Sequence, residues 1–485
     1  ILSNARRWSG AWVVVLTLLS PALVFGGTSS AAATEPAGAV TATDLSAELL
    51  SALPGALANT SVESESSTLR RAGNLVDLLG RKVVAIRFEG LRWTAVAVVR
   101  RELTIAVGMV LRADALGESV QRLRNLGVFR AVDVEVASAG AGGVRVRLIF
   151  DEKWTLMPIF QFSRRAGLLD FTLGLSDNNA LGRLWVLRGY YYNFAGTNSA
   201  FAEVADRRFL GDRLLLRVTG TLANLNRVLY QRTTEPIGAY SRRVSRASVL
   251  LNDERDPRLV YGLRLSWQQD DFSERLLDAS TQGLNKKLTY RVPAALQHGT
   301  IQASVRLGRL NHDDYLVHGG YVAASVTGSS RAWGSSSDFL RLHVSSLLAL
   351  RARHRQNLVM RLSLGTIDKQ VAEQNFYVGG LVHIRGFANG QFRGNHMFNA
   401  NIEYRVPSFH HRFAVLQHVA FCDLGNATND PSRLLSLDHL PPLSLGTGVR
   451  LVAPLLANFM ARLDVAFTIT DRVDYRISFG SQQFF

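Results

Sequence analysis

Residues 379–407 read GGLVHIRGFANGQFRGNHMFNANIEYRVP, two unlike halves set end to end. The first half is a glycine-punctuated loop that carries the run Ile384-Arg385-Gly386-Phe387. The second alternates: Phe398, Ala400, Ile402, Tyr404 and Val406 against Asn399, Asn401, Glu403 and Arg405. Side chains of a strand point to opposite faces with period two, so this segment predicts a strand with one apolar and one polar, charged face. A loop that delivers a cation, followed at once by a strand displaying Glu403, predicts that the loop folds back onto the polar face as a plug or latch.

The same alternation recurs from Trp154 to the end. Leu214, Leu216, Val218 and Leu222 stand against Arg213, Arg217, Thr219 and Thr221. Leu340, Leu342 and Val344 oppose Arg341, His343 and Ser345, and Phe459, Ala461, Leu463 and Val465 oppose Arg462 and Asp464. Such segments of ten residues or more, behind an export signal, suit a barrel wall with lipid on its apolar side. About sixteen strands are expected, near Trp154, Leu168, Gly182, Asn198, Asp212, Ser245, Leu259, Gly299, Val317, Asp338, Asn357, Met397, Phe413, Leu443, Asn458 and Asp474. Residues 154–485 allow about 21 for each strand and its connection, and an even count returns the C-terminus to the side of entry, the periplasm.

Composition sets the outer limits. A hydrophobic fraction of 47% over 485 residues looks soluble, yet a β-barrel gives only every second strand residue to lipid. The net charge of +16 comes from basic residues scattered along the strands without a dense run, which argues against nucleic acid and for a basic lumen or anionic lipid contact. The single cysteine, Cys422, leaves no intramolecular disulfide and no cysteine-based metal cluster.

Ahead of the barrel, Arg6 and Arg7 precede an apolar run from Ala11 to Phe25 and small residues through Ala33, the pattern of a secretory signal peptide over 1–33. Residues 34–80 read as a linker with helix-like patches at Leu45–Leu53 and Leu69–Leu79. Residues 81–153 read as a compact β-α-α-β-β module: a strand at Val83–Phe88, helices striped by Val96, Val99 and Leu103 and by Leu116, Val120, Leu123 and Leu126, then strands at Val132–Val136 and Val144–Phe150. Its sheet edge at 83–88 or 131–136 either accepts an incoming strand by augmentation or is simply solvated.

These residues together resemble the outer-membrane assembly and secretion superfamily, whose members join POTRA domains to a sixteen-stranded barrel: the BamA and TamA insertases and the two-partner secretion transporters. Gly90, Gly108, Gly127 and Phe129 fit the POTRA pattern, and Phe421-Cys422-Asp423-Leu424-Gly425 is similar to the family's F-x-D-x-G strand. The resemblance implies that the sixth outer loop enters the lumen and that its Arg385, within the Ile384, Gly386 and Phe387 motif, pairs with Glu403 and Asp423. It also implies a C-terminal targeting strand, Tyr475, Ile477, Phe479 and Phe485, in which Gln483 stands where an aromatic is usual. A single POTRA module, where the assembly insertases have several, bears on how accessories or a periplasmic chaperone would dock.

The fold expected is therefore an all-β transmembrane barrel over 154–485, preceded by one small α+β POTRA domain, in the outer membrane of a Gram-negative bacterium. The expected function is insertion of barrel proteins or translocation of a protein client, without enzymatic activity or cofactor; the alternative is a passive pore or surface protein on the same scaffold. No G-x-S-x-G, H-E-x-x-H or phosphate-binding loop is present. His410-His411 is the one tempting metal pair, but neighbouring residues diverge and Pro407 predicts a turn there. The arginines of the polar face, Arg213, Arg341, Arg361, Arg405, Arg450 and Arg462, are either a selectivity lining or partners of Asp464 and its neighbours.

Overall fold

A computed structural model of the chain describes residues 75–485 apart from 141, 166–167, 195–196, 231–235, 277–291, 353–354, 435–440, 458, 470–472 and 482–485. The signal-peptide segment, most of the linker, and Phe485 lie outside the described residues.

The first unit is an α+β module: α1 (Leu75–Leu78), β1 (Lys82–Glu89), α2 (Val96–Glu102), α3 (Ala113–Asn125), β2 (Phe129–Ser138) and β3 (Gly143–Glu152). The short α1 falls inside the stretch read as linker. The sheet order is β1-β3-β2, with β3 central, parallel to β1 and antiparallel to β2. The helices bury Val99 and Leu123 against Val132, Val144, Val146 and Leu148. The start of β1 has a further partner, since Val83 N donates to Met109 O (2.8 Å) and Gly108 N to Val83 O (2.7 Å).

Sixteen antiparallel strands form the second unit. In chain order they are β4 (Leu156–Arg165), β5 (Leu168–Ala180), β6 (Trp185–Phe194), β7 (Thr197–Phe209), β8 (Leu214–Tyr230), β9 (Pro236–Asp256), β10 (Leu259–Ser273), β11 (Leu296–Asp313), β12 (Leu316–Ser329), β13 (Phe339–Ala352) and β14 (Gln356–Ile367). Two short strands inside a loop follow, β15 (Phe376–Val378) and β16 (Phe392–Gly394). The wall then resumes with β17 (His396–His411), β18 (Ala414–Thr428), β19 (Leu443–Val452), β20 (Met460–Ile469) and β21 (Val473–Ser481). Each wall strand pairs with its neighbour in sequence, and β14 pairs with β17 across the loop.

Period two sorts the side chains as a transmembrane barrel requires. Val218, Leu222, Leu263, Leu265, Leu342, Leu364, Ile402 and Leu463 are exposed on the outer face, whereas Arg217, Arg264, Ser345, Asn401, Asp423 and Asp464 are buried on the inner one. Tyr475, Ile477 and Phe479 of β21 also face outward. Connections at the module end are short turns; at the far end the loop between β14 and β17 runs over residues 368–395. Trp154, just before β4, donates from its backbone to Leu455 O (2.8 Å) and accepts from Ala457 N (2.9 Å), joining the start of the sheet to its penultimate turn.

The segment expected near Ser245 lies inside β9, which forms one long hairpin with β8 whose ladder continues from Leu214↔Asp253 to Tyr230↔Pro236. One feature departs from the sequence reading. Pro407 lies within β17 and not in a turn: a register shift between Pro407 and Phe409 accommodates the missing N–H, and the strand continues to His411.

The module is seated on the turns of the barrel. Glu152 accepts backbone N–H bonds from Arg92 (2.6 Å), Trp93 (2.8 Å) and Thr94 (2.8 Å), and fixes the loop that meets the β5–β6 turn. There Ala95 N donates to Gly182 O (2.9 Å), and Leu184 is fully buried in the module's own apolar core. Gly182 has φ 68°, and a Cβ on it would lie 2.0 Å from Trp93 O, so only glycine fits. Glu102 receives Arg208 Nε and Arg213 Nη2, each at 2.6 Å, from the β7–β8 turn.

Candidate functional site

The loop of residues 368–395 lies inside the barrel. Its two limbs are zipped by the β15–β16 ladder, Phe376↔Gly394 to Val378↔Phe392. Ile384 and Phe387 are buried with Phe376, Val378 and Ile367 in one apolar cluster, and Phe387 meets Phe392 edge-on at 5.2 Å. A loop of this length stays in a polar lumen because it brings its own core and satisfies its backbone locally. Gly386 has φ 89°, and a Cβ there would lie 2.6 Å from Thr468 Cγ2, so the glycine lets the loop lie flat on β20.

Arg385 is 1% exposed. Its guanidinium donates through Nε to Asp423 Oδ2 (2.6 Å), through Nη2 to Asp423 Oδ1 (2.7 Å) and through Nη1 to Glu403 Oε2 (2.6 Å). The Arg385 backbone N–H also donates to Asp423 Oδ2 (3.0 Å). The bidentate fork on Asp423 is the geometry that guanidinium and carboxylate planes favour. Phe421, on the same inner face of β18, places its ring 3.5 Å from the guanidinium carbon, and Gly425 lies two residues beyond Asp423. Asn401 Nδ2 donates to Asp423 Oδ1 (2.9 Å) and to His383 O (2.6 Å). Ile384, Gly386 and Phe387 thus supply packing and backbone shape, and Arg385 supplies the charge.

The network extends along the wall. Arg405 Nε donates to Glu403 Oε1 (2.8 Å), Arg450 bridges Glu403 Oε2 (3.1 Å) and Asp464 Oδ1 (2.6 Å), and Arg462 Nε donates to Asp464 Oδ2 (2.8 Å). The six arginines of the polar face are therefore engaged rather than presented as an open lining. Arg405, Arg450 and Arg462 meet carboxylates, Arg213 meets Glu102, Arg361 Nη1 donates to Val382 O (3.2 Å), and Arg341 lies 4.2 Å above the Phe376 ring.

A second cluster has no sequence signature. Glu373, in the first limb of the loop and fully buried, accepts Arg227 Nε (3.1 Å) and Nη2 (2.7 Å) from β8 and Tyr240 Oη (2.5 Å) from β9. Arg242 Nη1 of β9 lies 2.7 Å from its Oε2 and Arg242 Nε donates to Asp270 Oδ1 (2.9 Å). Burial alone would push the Glu373 carboxyl up; Arg227 and Arg242 outweigh it and hold the group below the ordinary carboxylate range. The available signal was one acidic residue in a loop entering a cationic lumen, which is too weak to single out.

Residues 179–485 match the model of the Omp85 superfamily domain. The chain belongs to the Omp85 superfamily. Among solved structures, CdiB from Escherichia coli is 14% identical, with 83% of this chain and 76% of that one covered at a TM-score of 0.56. CdiB from Acinetobacter baumannii is 13% identical, with coverages of 83% and 74% and a TM-score of 0.51. BamA from Haemophilus ducreyi lacking POTRA domains 1-3 is 17% identical, with coverages of 83% and 84% and a TM-score of 0.48. This Omp85 protein is an outer-membrane barrel protein, and the likeness to the two CdiB structures is one of fold.

Proposed function

We propose that this Omp85 protein handles a polypeptide client at the outer membrane: an unfolded barrel protein to be inserted, or a secreted protein to be passed across, with lipid as its surroundings and no cofactor or covalent chemistry. The module of residues 81–153 acts as a periplasmic POTRA domain, on which a periplasmic chaperone or accessory can dock. The observation that carries this reading is the latched loop, in which Arg385 is clamped by Asp423 and Glu403 inside the lumen. A passive pore gains nothing from a buried, four-bonded ion pair that closes it, whereas a client-handling barrel needs a lumen that stays shut and can be reorganised. The edge of β2 supports the same reading: among the described residues its ladder bonds run only to β3, which leaves a row of backbone groups for an incoming strand.

The test is depletion of the protein from its Gram-negative host, with quantitative mass spectrometry of the outer membrane and a photo-crosslinker at Glu135 on β2. Loss of particular outer-membrane or secreted proteins, together with a trapped client, is expected. An unchanged outer-membrane proteome with no adduct would assign the scaffold to the passive pore or surface class instead.

A further inference from the structure

The loop is held at two places, and they lie on nearly opposite walls. Arg385 is bound by β17 and β18; Glu373 is bound by β8 and β9. In the sheet order five strands separate β9 from β17, and seven separate β18 from β8 by the other route around the barrel. The two anchors share no residue and have opposite polarity. The loop offers an anion to a cationic wall and, twelve residues on, a cation to an anionic wall.

Glu373 has the marks of a built anchor. Both carboxylate oxygens are occupied, the side chain is fully buried, and the residue is held at φ 61°, a conformation an L side chain other than Asn or Asp rarely adopts without support. Arg227 also lies 4.2 Å above the ring of Tyr377, so it grips the limb at two successive points. Between the anchors the described contacts to the wall carry no ion pair: the Arg341 face on Phe376, one Arg361 bond to Val382 O, the Asn401 amide on His383 O, and the stacking of His343 on Phe376.

We propose that Glu373 is a second positioning residue for the loop, independent of Arg385, and that the two make the loop a strut across the lumen whose base, ahead of the β15–β16 ladder, and tip, beyond it, are released separately. This rests on the reading of the loop as a latch. Release of one anchor frees the base or the tip while the other stays on its wall and the ladder holds, so the lumen has a half-open state set by which pair is broken. A loop fixed at a single arginine has no such state.

The test needs no client. In purified protein carrying Cys422→Ser, a single cysteine is placed at Val371 in the base or at Ala388 in the tip, both buried in the parent. Labelling by a membrane-impermeant maleimide is timed in lipid vesicles. Glu373→Gln keeps the shape and removes the charge; it is expected to raise labelling at position 371 about tenfold and to leave 388 near the parent rate. Arg385→Gln is expected to do the reverse. Arg227→Gln, which leaves Arg242 on Glu373, should give a smaller rise at 371 and shows that the effect follows the pair rather than a folding defect. The inference is overturned if Glu373→Gln leaves position 371 within twofold of the parent, or if either variant raises both positions alike, which would make the loop one body. If Arg385→Gln also leaves both positions closed, the latch reading itself fails.

Discussion

Removal of the Arg385 side chain is the most informative single perturbation of the latch, because the two carboxylates it serves are not equally dependent on it. After Arg385→Ala, Glu403 keeps Arg405 and Arg450. Asp423 loses both prongs of the guanidinium and keeps the Asn401 amide and whatever backbone bond the relaxed loop retains. At 0% exposure, Asp423 then becomes a buried charge with no cation hydrogen-bonded to it among the described residues. Truncating one side of a buried, hydrogen-bonded pair costs about 3–5 kcal/mol, and the placement of Asp423 points to the upper half of that range. Arg385→Lys keeps the charge and loses the fork, for about 1.5–3 kcal/mol. The decisive variant is the double change Arg385→Ala with Asp423→Ala, which removes the stranded charge and should recover about 1–3 kcal/mol relative to Arg385→Ala alone. Guanidinium unfolding in detergent micelles, checked by heat-modifiable migration on gels, reads all three. If the double variant is no more stable than Arg385→Ala, or if Arg385→Ala lies within about 0.5 kcal/mol of the parent, the stranded-carboxylate argument is wrong.

Further outcomes concern the seat of the module. Burial of Glu102 would raise its pKa, but Arg208 and Arg213 outweigh this and lower it below the ordinary value, so docking is fully supported above that value and lost as pH falls through the depressed one. Tryptophan emission from Trp93 and Trp154, edge-on at 6.2 Å, should report undocking on acidification, and Glu102→Gln should flatten the profile. Gly182→Ala should unseat the module, with new protease cleavage near Arg92–Ala95, because the added methyl meets Trp93 O; normal protease resistance would contradict the fit described. Leu184→Ala should destabilise the module by about 2–5 kcal/mol, measured by hydrogen exchange in β1 and β3, with the far end of the barrel unaffected.

The wall was legible in the sequence because a lipid-facing strand writes its geometry as parity. Odd-numbered Asn399, Asn401, Glu403 and Arg405 face in, as do Phe421 and Asp423 on the neighbouring strand, so both carboxylates share a surface with Arg385. Parity also explains what misled. Pro407 was read as a turn because a proline interrupts a ladder, yet a bulge let β17 continue. Glu373 was invisible for another reason: it has no period of its own, and its partners Arg227, Tyr240 and Arg242 lie more than a hundred residues earlier in the chain.

Leu184 ties the biogenesis of the two units into one event. The core of the first unit is completed by a side chain from a turn between two wall strands, so a chain that has crossed the inner membrane but has not built the β5–β6 hairpin carries an unplugged hydrophobic core. An unfinished barrel is therefore also a chain with sticky, protease-sensitive surface in its soluble part, open to the holdases and proteases of the compartment through which it travels. The finished wall seals that surface by the same step that forms it, so maturity of the membrane part is displayed outside the membrane.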